Sequence, residues 1–112
     1  MGRTLGELEQ LLLMALVRHG GEASGIDLRE EILERTGRTV LPGAVYTIME
    51  RLRVRDLVTA STADATPARG GRRRKRYRLT PAGERALADA YRQVEEMADG
   101  IVDRLRARPE EA

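Results

Sequence analysis

The sequence predicts a mainly α-helical fold with one small β-hairpin and a long C-terminal helix. Three observations predict it. Apolar residues recur at three- and four-residue spacing in three consecutive segments bounded by capping or breaking residues. An alternating segment, 74–79, follows a Gly-rich turn. Thr80-Pro81 then opens a segment with a heptad-like apolar row.

The first helix spans 4–18, with Leu5, Leu8, Leu12, Ala15 and Leu16 at helical spacing. Thr4 is its expected N-cap, with Glu7 three residues on, and His19-Gly20-Gly21 ends it. Leu11, Leu13 and Val17 widen the apolar stripe, so this helix is buried on two sides or meets a second subunit. The second helix spans 24–36, with Ser24 as N-cap, Asp27 in the first turn and Gly37 as the stop. Ile26, Leu28, Ile32 and Leu33 form its apolar side; Arg29, Glu30, Glu31, Glu34 and Arg35 form a solvated one.

Pro42 starts the third helix, which runs to about Arg55 and buries Val45, Ile48, Met49 and Leu52. Residues 57–62 have strand character, 64–71 form a turn-rich tip, and 74–79 form the returning strand. On that strand Lys75, Tyr77 and Leu79 share one face, and Arg74, Arg76 and Arg78 the other. The last helix starts at Thr80-Pro81 and continues to about Arg106. Its row is Leu87, Tyr91, Val94, Ala98, Ile101 and Leu105, and Gly100 is an internal cost of roughly 1 kcal/mol. A helix of about 25 residues is roughly 37 Å long, so it overhangs its own globule and its stripe needs a second copy to cover it.

Three helices, a hairpin and a further helix describe a winged helix-turn-helix. The expected division is a winged helix-turn-helix domain over 1–80 and a dimerisation helix and tail over 81–112. The 112 residues suffice for one modest core. With three Tyr and neither Phe nor Trp, that core is aliphatic. No Cys and a single His, His19, exclude thiolate chemistry and multi-His zinc sites. No catalytic residue, metal ligand or cofactor is expected: His19 sits at a helix end, and Ser24 has no base in an identifiable motif. The apolar run 11–17 is too short to cross a bilayer, which takes about 20 residues. No signal peptide is expected, and zero Cys is compatible with a cytoplasmic home.

Charge placement carries more information than the net value of +2. The stretch 69–78, RGGRRRKRYR, holds seven basic residues and no acid. Without it the chain has 13 basic against 18 acidic residues. Such a cluster suits a phosphate-contacting arm, because clustered Arg and Lys release counterions from nucleic acid. The third helix faces outward with Gly43, Tyr46, Thr47, Glu50 and Arg51, a polar surface suited to a DNA groove.

The blocks LGELEQLLLMALVRHGGEASGIDLREEILERTG, GAVYTIMERL and GGRRRKRYRLTPAGERAL closely resemble PadR-family transcriptional regulators, over about residues 5–90. The single C-terminal helix looks like the family's compact branch. Leu41 stands where the family often has a Ser, so the usual hydroxyl cap of the third helix is missing. The resemblance implies a homodimeric repressor that binds a pseudo-palindromic operator and is released by a small effector. It also implies that Tyr46, Thr47, Lys75 and Arg76 approach DNA.

Residues and resemblance together point to a sequence-specific regulator of double-stranded DNA. The expected contacts are Pro42, Gly43, Tyr46, Thr47 and Arg51 on the helix, and Arg72, Arg73, Arg74, Lys75, Arg76 and Arg78 on the wing. The expected dimer residues are Leu5, Leu8 and Leu12 with Leu87, Tyr91, Val94, Ala98, Ile101 and Leu105. A small apolar effector would sit at the dimer interface, between first and last helices. The competing class is a non-catalytic winged-helix module that docks another protein.

Overall fold

The computed structural model describes residues 4–63 and 74–107, with Ala63 and Arg74 as backbone only. The chain order is α1 (Glu7–Arg18), β1 (Glu22–Ser24), α2 (Gly25–Thr36), α3 (Pro42–Val54), β2 (Val58–Ala63), β3 (Arg74–Leu79), α4 (Pro81–Ala98) and α5 (Val102–Arg106). The turn-rich tip expected over 64–71 lies outside the described residues.

Local signals place most of these elements. Ser24 Oγ accepts from Asp27 N at 3.2 Å while Ser24 N donates to Asp27 Oδ2 at 3.3 Å, a reciprocal cap on α2. Gly37 closes the helix in the left-handed conformation (φ +75°), which glycine adopts without a Cβ penalty. Thr80 Oγ1 accepts from Gly83 N at 2.9 Å and caps α4, with Pro81 in its first turn. Leu41 precedes α3 with no side-chain cap, in line with the missing hydroxyl.

The cap of α1 differs from expectation. The helix starts at Glu7, two residues later than an N-cap at Thr4 would place it. Gly6 is its N-cap, and Gly6 N donates to the Glu9 carboxylate at 2.6 Å. The acid that closes the cap is therefore Glu9, two residues on from Glu7, because the N-cap is Gly6 rather than Thr4.

The sheet has three strands, not the two of a plain hairpin. It is antiparallel with order β1-β3-β2. β1 pairs Glu22 with Arg78, Ala23 with Tyr77 and Ser24 with Arg76. Three residues are too few to show a period of two, so this strand left no pattern to read. Ala23 and Tyr77 face the core, and Glu22, Arg76 and Arg78 face outward.

The core is aliphatic. Leu12, Leu13 and Leu16 of α1 meet Leu28 and Ile32 of α2, Val45, Met49 and Leu52 of α3, and Val58 and Tyr77 of the sheet. Burying each large side chain contributes about 1.5–3 kcal/mol. α1 touches α2, α3, α4 and the sheet, which explains its wide stripe. Only half of the expected apolar side of α2 is used: Leu28 and Ile32 are buried, whereas Ile26 and Leu33 are exposed.

The last helix is not continuous to Arg106. α4 ends at Ala98, Gly100 turns the chain with φ +86°, and α5 resumes at Val102. Gly100 is thus not an internal helix residue with a propensity cost. It occupies the left-handed position that breaks the helix. The 18 residues of α4 extend about 27 Å. The Cα radius of gyration, 16.3 Å, still exceeds the roughly 13 Å of a compact chain this long, and no described residue beyond Ala90 joins the core.

Candidate nucleic-acid interface

α3 is held by Val45, Met49 and Leu52, whose burial fixes its rotation. That rotation leaves Pro42, Gly43, Tyr46, Thr47 and Arg51 exposed, as the spacing predicts. Tyr46 is 54% exposed.

β3 brings the wing to this surface through Lys75. Its Nζ lies 5.1 Å from the centre of the Tyr46 ring, within cation–π range. The same Nζ is 3.3 Å from Glu50 Oε2, and Arg53 Nε donates to Glu50 Oε1 at 3.1 Å. Burial pushes the Glu50 carboxyl up, but Arg53 and Lys75 outweigh it and hold its pKa below the ordinary carboxylate value. Burial, with Glu50 and Tyr46 nearby, raises the pKa of the Tyr77 hydroxyl behind this cluster.

The opposite face of the wing is organised by a residue the sequence did not single out. Glu22 of β1 accepts from Arg78 Nη2 at 2.8 Å and from Arg76 Nε at 3.2 Å. Both hydrogen bonds, Arg78's first, lower its pKa. Arg76 and Arg78 therefore do not stand free as an all-cationic row: a carboxylate bridges them. Arg78 also lies about 13 Å along the strand from Arg74, toward the base of the wing. The wing face that meets α3 is the one carrying Lys75. The side chain of Arg74, and all of Arg72 and Arg73, lie outside the described residues.

The expected dimer residues divide into two groups. Leu5 and Leu12 are buried in the protomer's own core, Leu87 is 8% exposed, and Leu8 is half-buried against that core. Leu5 and Leu12 are thus covered within one chain, whereas Leu87 still edges the open groove between α1 and α4. Tyr91, Val94, Ile101 and Leu105 are 46–58% exposed, with Met97 at 81%; Ala98 is half-buried. Beside them an open apolar groove of about 400 Å³ runs between α1 and α4, lined by Met14, Val17, Leu87 and Tyr91.

His19 caps α1 and places Nε2 3.2 Å from Glu31 Oε1, while Arg35 pairs with the same carboxylate at 2.7 Å. No cluster of His, Cys, Asp or Glu able to hold a metal ion occurs among the described residues. None of the described helices is long and apolar enough to cross a membrane.

A helix-turn-helix core, a three-stranded antiparallel wing and a third helix with its polar start exposed define a winged-helix protein. The pattern of the transcriptional regulator PadR-like family matches residues 12–89, and the chain belongs to that family. It is 38% identical over 81 residues to the transcriptional regulator Rv3488 of Mycobacterium tuberculosis, covering 72% of this chain and 71% of that protein. A PadR family transcriptional regulator from Eggerthella lenta superposes with TM-score 0.68 at 26% identity, over 88% of this chain and 86% of that one. PadR of Bacillus subtilis, solved in complex with operator DNA, superposes with TM-score 0.63 at 25% identity. That match covers 73% of this chain and 46% of that one.

Proposed function

We propose that this protein is a homodimeric repressor that binds a pseudo-palindromic operator. The observation that carries the reading is the meeting of Tyr46 on α3 with Lys75 on the wing at one exposed surface. α3 enters the major groove with Tyr46 and Thr47 at base edges or phosphates, and Pro42, Gly43 and Arg51 line the approach. Lys75 and the basic residues 72–74 grip the flanking backbone. Arg76 and Arg78 join that grip only by exchanging Glu22 for phosphate.

Two copies pair through the exposed row Tyr91, Val94, Met97, Ile101 and Leu105, which supports a dimer because so much apolar surface lies uncovered on a single chain. The division at residue 80 separates reading from pairing in function, although the first turns of α4 pack on the core. A two-fold axis sets the reading helices about 34–36 Å apart. A small apolar effector enters the α1–α4 groove and favours the DNA-incompetent arrangement. The protein acts in the cytoplasm, without a cofactor and without catalysis.

Selecting duplexes from a random pool tests the reading. A recovered motif with two-fold symmetry, bound with steep salt dependence, is the expected result. Recovery of no motif, with a flat salt response, refutes it.

A further inference from the structure

The reading surface of a DNA-binding protein should be cationic, yet this one contains a carboxylate. Glu50 lies one turn beyond Tyr46 on α3. Its Oε2 is buried and turned to the wing. What it meets is the wing: Lys75 Nζ at 3.3 Å, with Arg53 on the other oxygen. Lys75 in turn stands over the Tyr46 ring. Four side chains from two elements, Tyr46, Glu50 and Arg53 of α3 and Lys75 of β3, thus form one ion-pair and cation–π cluster.

We propose that Glu50 determines specificity by position: it holds Lys75 beside Tyr46 and cancels its charge until a phosphate in the correct register displaces the carboxylate. This rests on the DNA-binding reading above. An uncancelled lysine on the wing would bind any phosphate, because counterion release takes no account of sequence. A lysine already paired adds little to random encounters. It contributes only where Tyr46 and Thr47 are seated and bring a phosphate within reach. Arg53, on the same carboxylate, keeps Glu50 from being left unpaired when Lys75 leaves.

The test uses the full chain in fluorescence anisotropy titrations. The probes are a random-sequence duplex and duplexes the wild-type protein selects from a random pool, from about 50 to about 200 mM salt. Glu50→Gln should bind the random duplex about three- to fivefold more tightly. Its salt slope should steepen by about 0.9, one additional phosphate neutralised. Discrimination between selected and random duplexes should fall by the same factor. In a Lys75→Gln background, Glu50→Gln should change neither quantity.

An unchanged slope overturns the proposal. So does an equal change in the Lys75→Gln background, which would make Glu50 a general repulsive charge. If Glu50→Gln does not fold, Glu50→Asp, which keeps the charge but shortens the reach, should shift the slope in the same direction by less; no shift would overturn the proposal. Failure of the wild type to bind either duplex is a separate result and refutes the DNA reading itself.

Discussion

Gly83 lies in the first turn of α4, where helix propensity alone says that alanine should stabilise by about 1 kcal/mol. The structure reverses the sign. A Cβ on Gly83 would fall 2.0 Å from the Leu57 carbonyl oxygen and 2.9 Å from Leu79 Cδ1. The first of these is backbone and cannot rotate away, so α4 must move by about 1 Å from the 56–57 turn. That turn is tied to the helix start: Thr80 N donates to Leu57 O at 3.1 Å and Thr80 Oγ1 donates to Asp56 O at 2.8 Å. Asp56 is itself in the left-handed region at φ +61°, so the turn has little room to yield. Overpacking of this kind takes about 1–3 kcal/mol, and weakening the two hydrogen bonds adds about 1 kcal/mol. After subtracting the propensity gain, Gly83→Ala should lose about 2 kcal/mol. For a chain of this length that lowers Tm by about 8 °C. Thermal denaturation followed by circular dichroism, at one fixed protomer concentration because self-association makes Tm concentration-dependent, measures it. A variant as stable as the wild type, or more so, would refute the close approach of α4 to the 56–57 turn.

Other perturbations probe the remaining contacts. Val94→Asp with Ile101→Asp, both exposed on the protomer, should convert the dimer to a folded monomer in sedimentation at micromolar concentration. A wild type that is already monomeric there would refute the pairing. Leu12→Ala should instead destabilise the protomer itself by about 2–5 kcal/mol in chemical denaturation, since Leu12 is fully buried. Glu22 has its pKa lowered by Arg78 and Arg76, so its contribution is present above the unfolded-state value near 4.5 and is lost as pH falls through the lower folded value. The stability difference between wild type and Glu22→Gln should therefore hold at neutral pH and shrink as pH drops below about 4.5; a difference that persists in acid would remove the ion bridge from the account. Thr47→Ala should alter the base preference recovered from a random pool, and an unchanged motif would leave Thr47 no base-reading role.

Much of the architecture was legible in residue order because its signals are local. Ser24, Asp27 and Gly37 bracket one helix within a few residues, and Thr80-Pro81 opens another in the same way. Alternation over 74–79 identified the wing strand and sorted its two faces correctly. The exposed start of α3 followed from where Val45, Met49 and Leu52 had to be buried. These inferences need only the helical and strand periods and the chemistry of chain ends.

Folding alone decided what those faces meet. Glu22 meets Arg78 across 56 residues of chain, and Lys75 meets Glu50 and Tyr46 across two elements. No spacing rule encodes such encounters, because they depend on how β1 docks on the sheet and how the sheet leans on α3. The same holds for Gly83, whose need for a missing side chain is set by a carbonyl 26 residues earlier, and for the turn at Gly100, where an unbroken apolar row concealed a change of backbone direction. Residue order gathered seven cations, with no acid among them, between residues 69 and 78. Packing decided which of them sit beside a carboxylate, and Coulomb attraction over a few ångströms makes that the difference between a bare charge and a cancelled one.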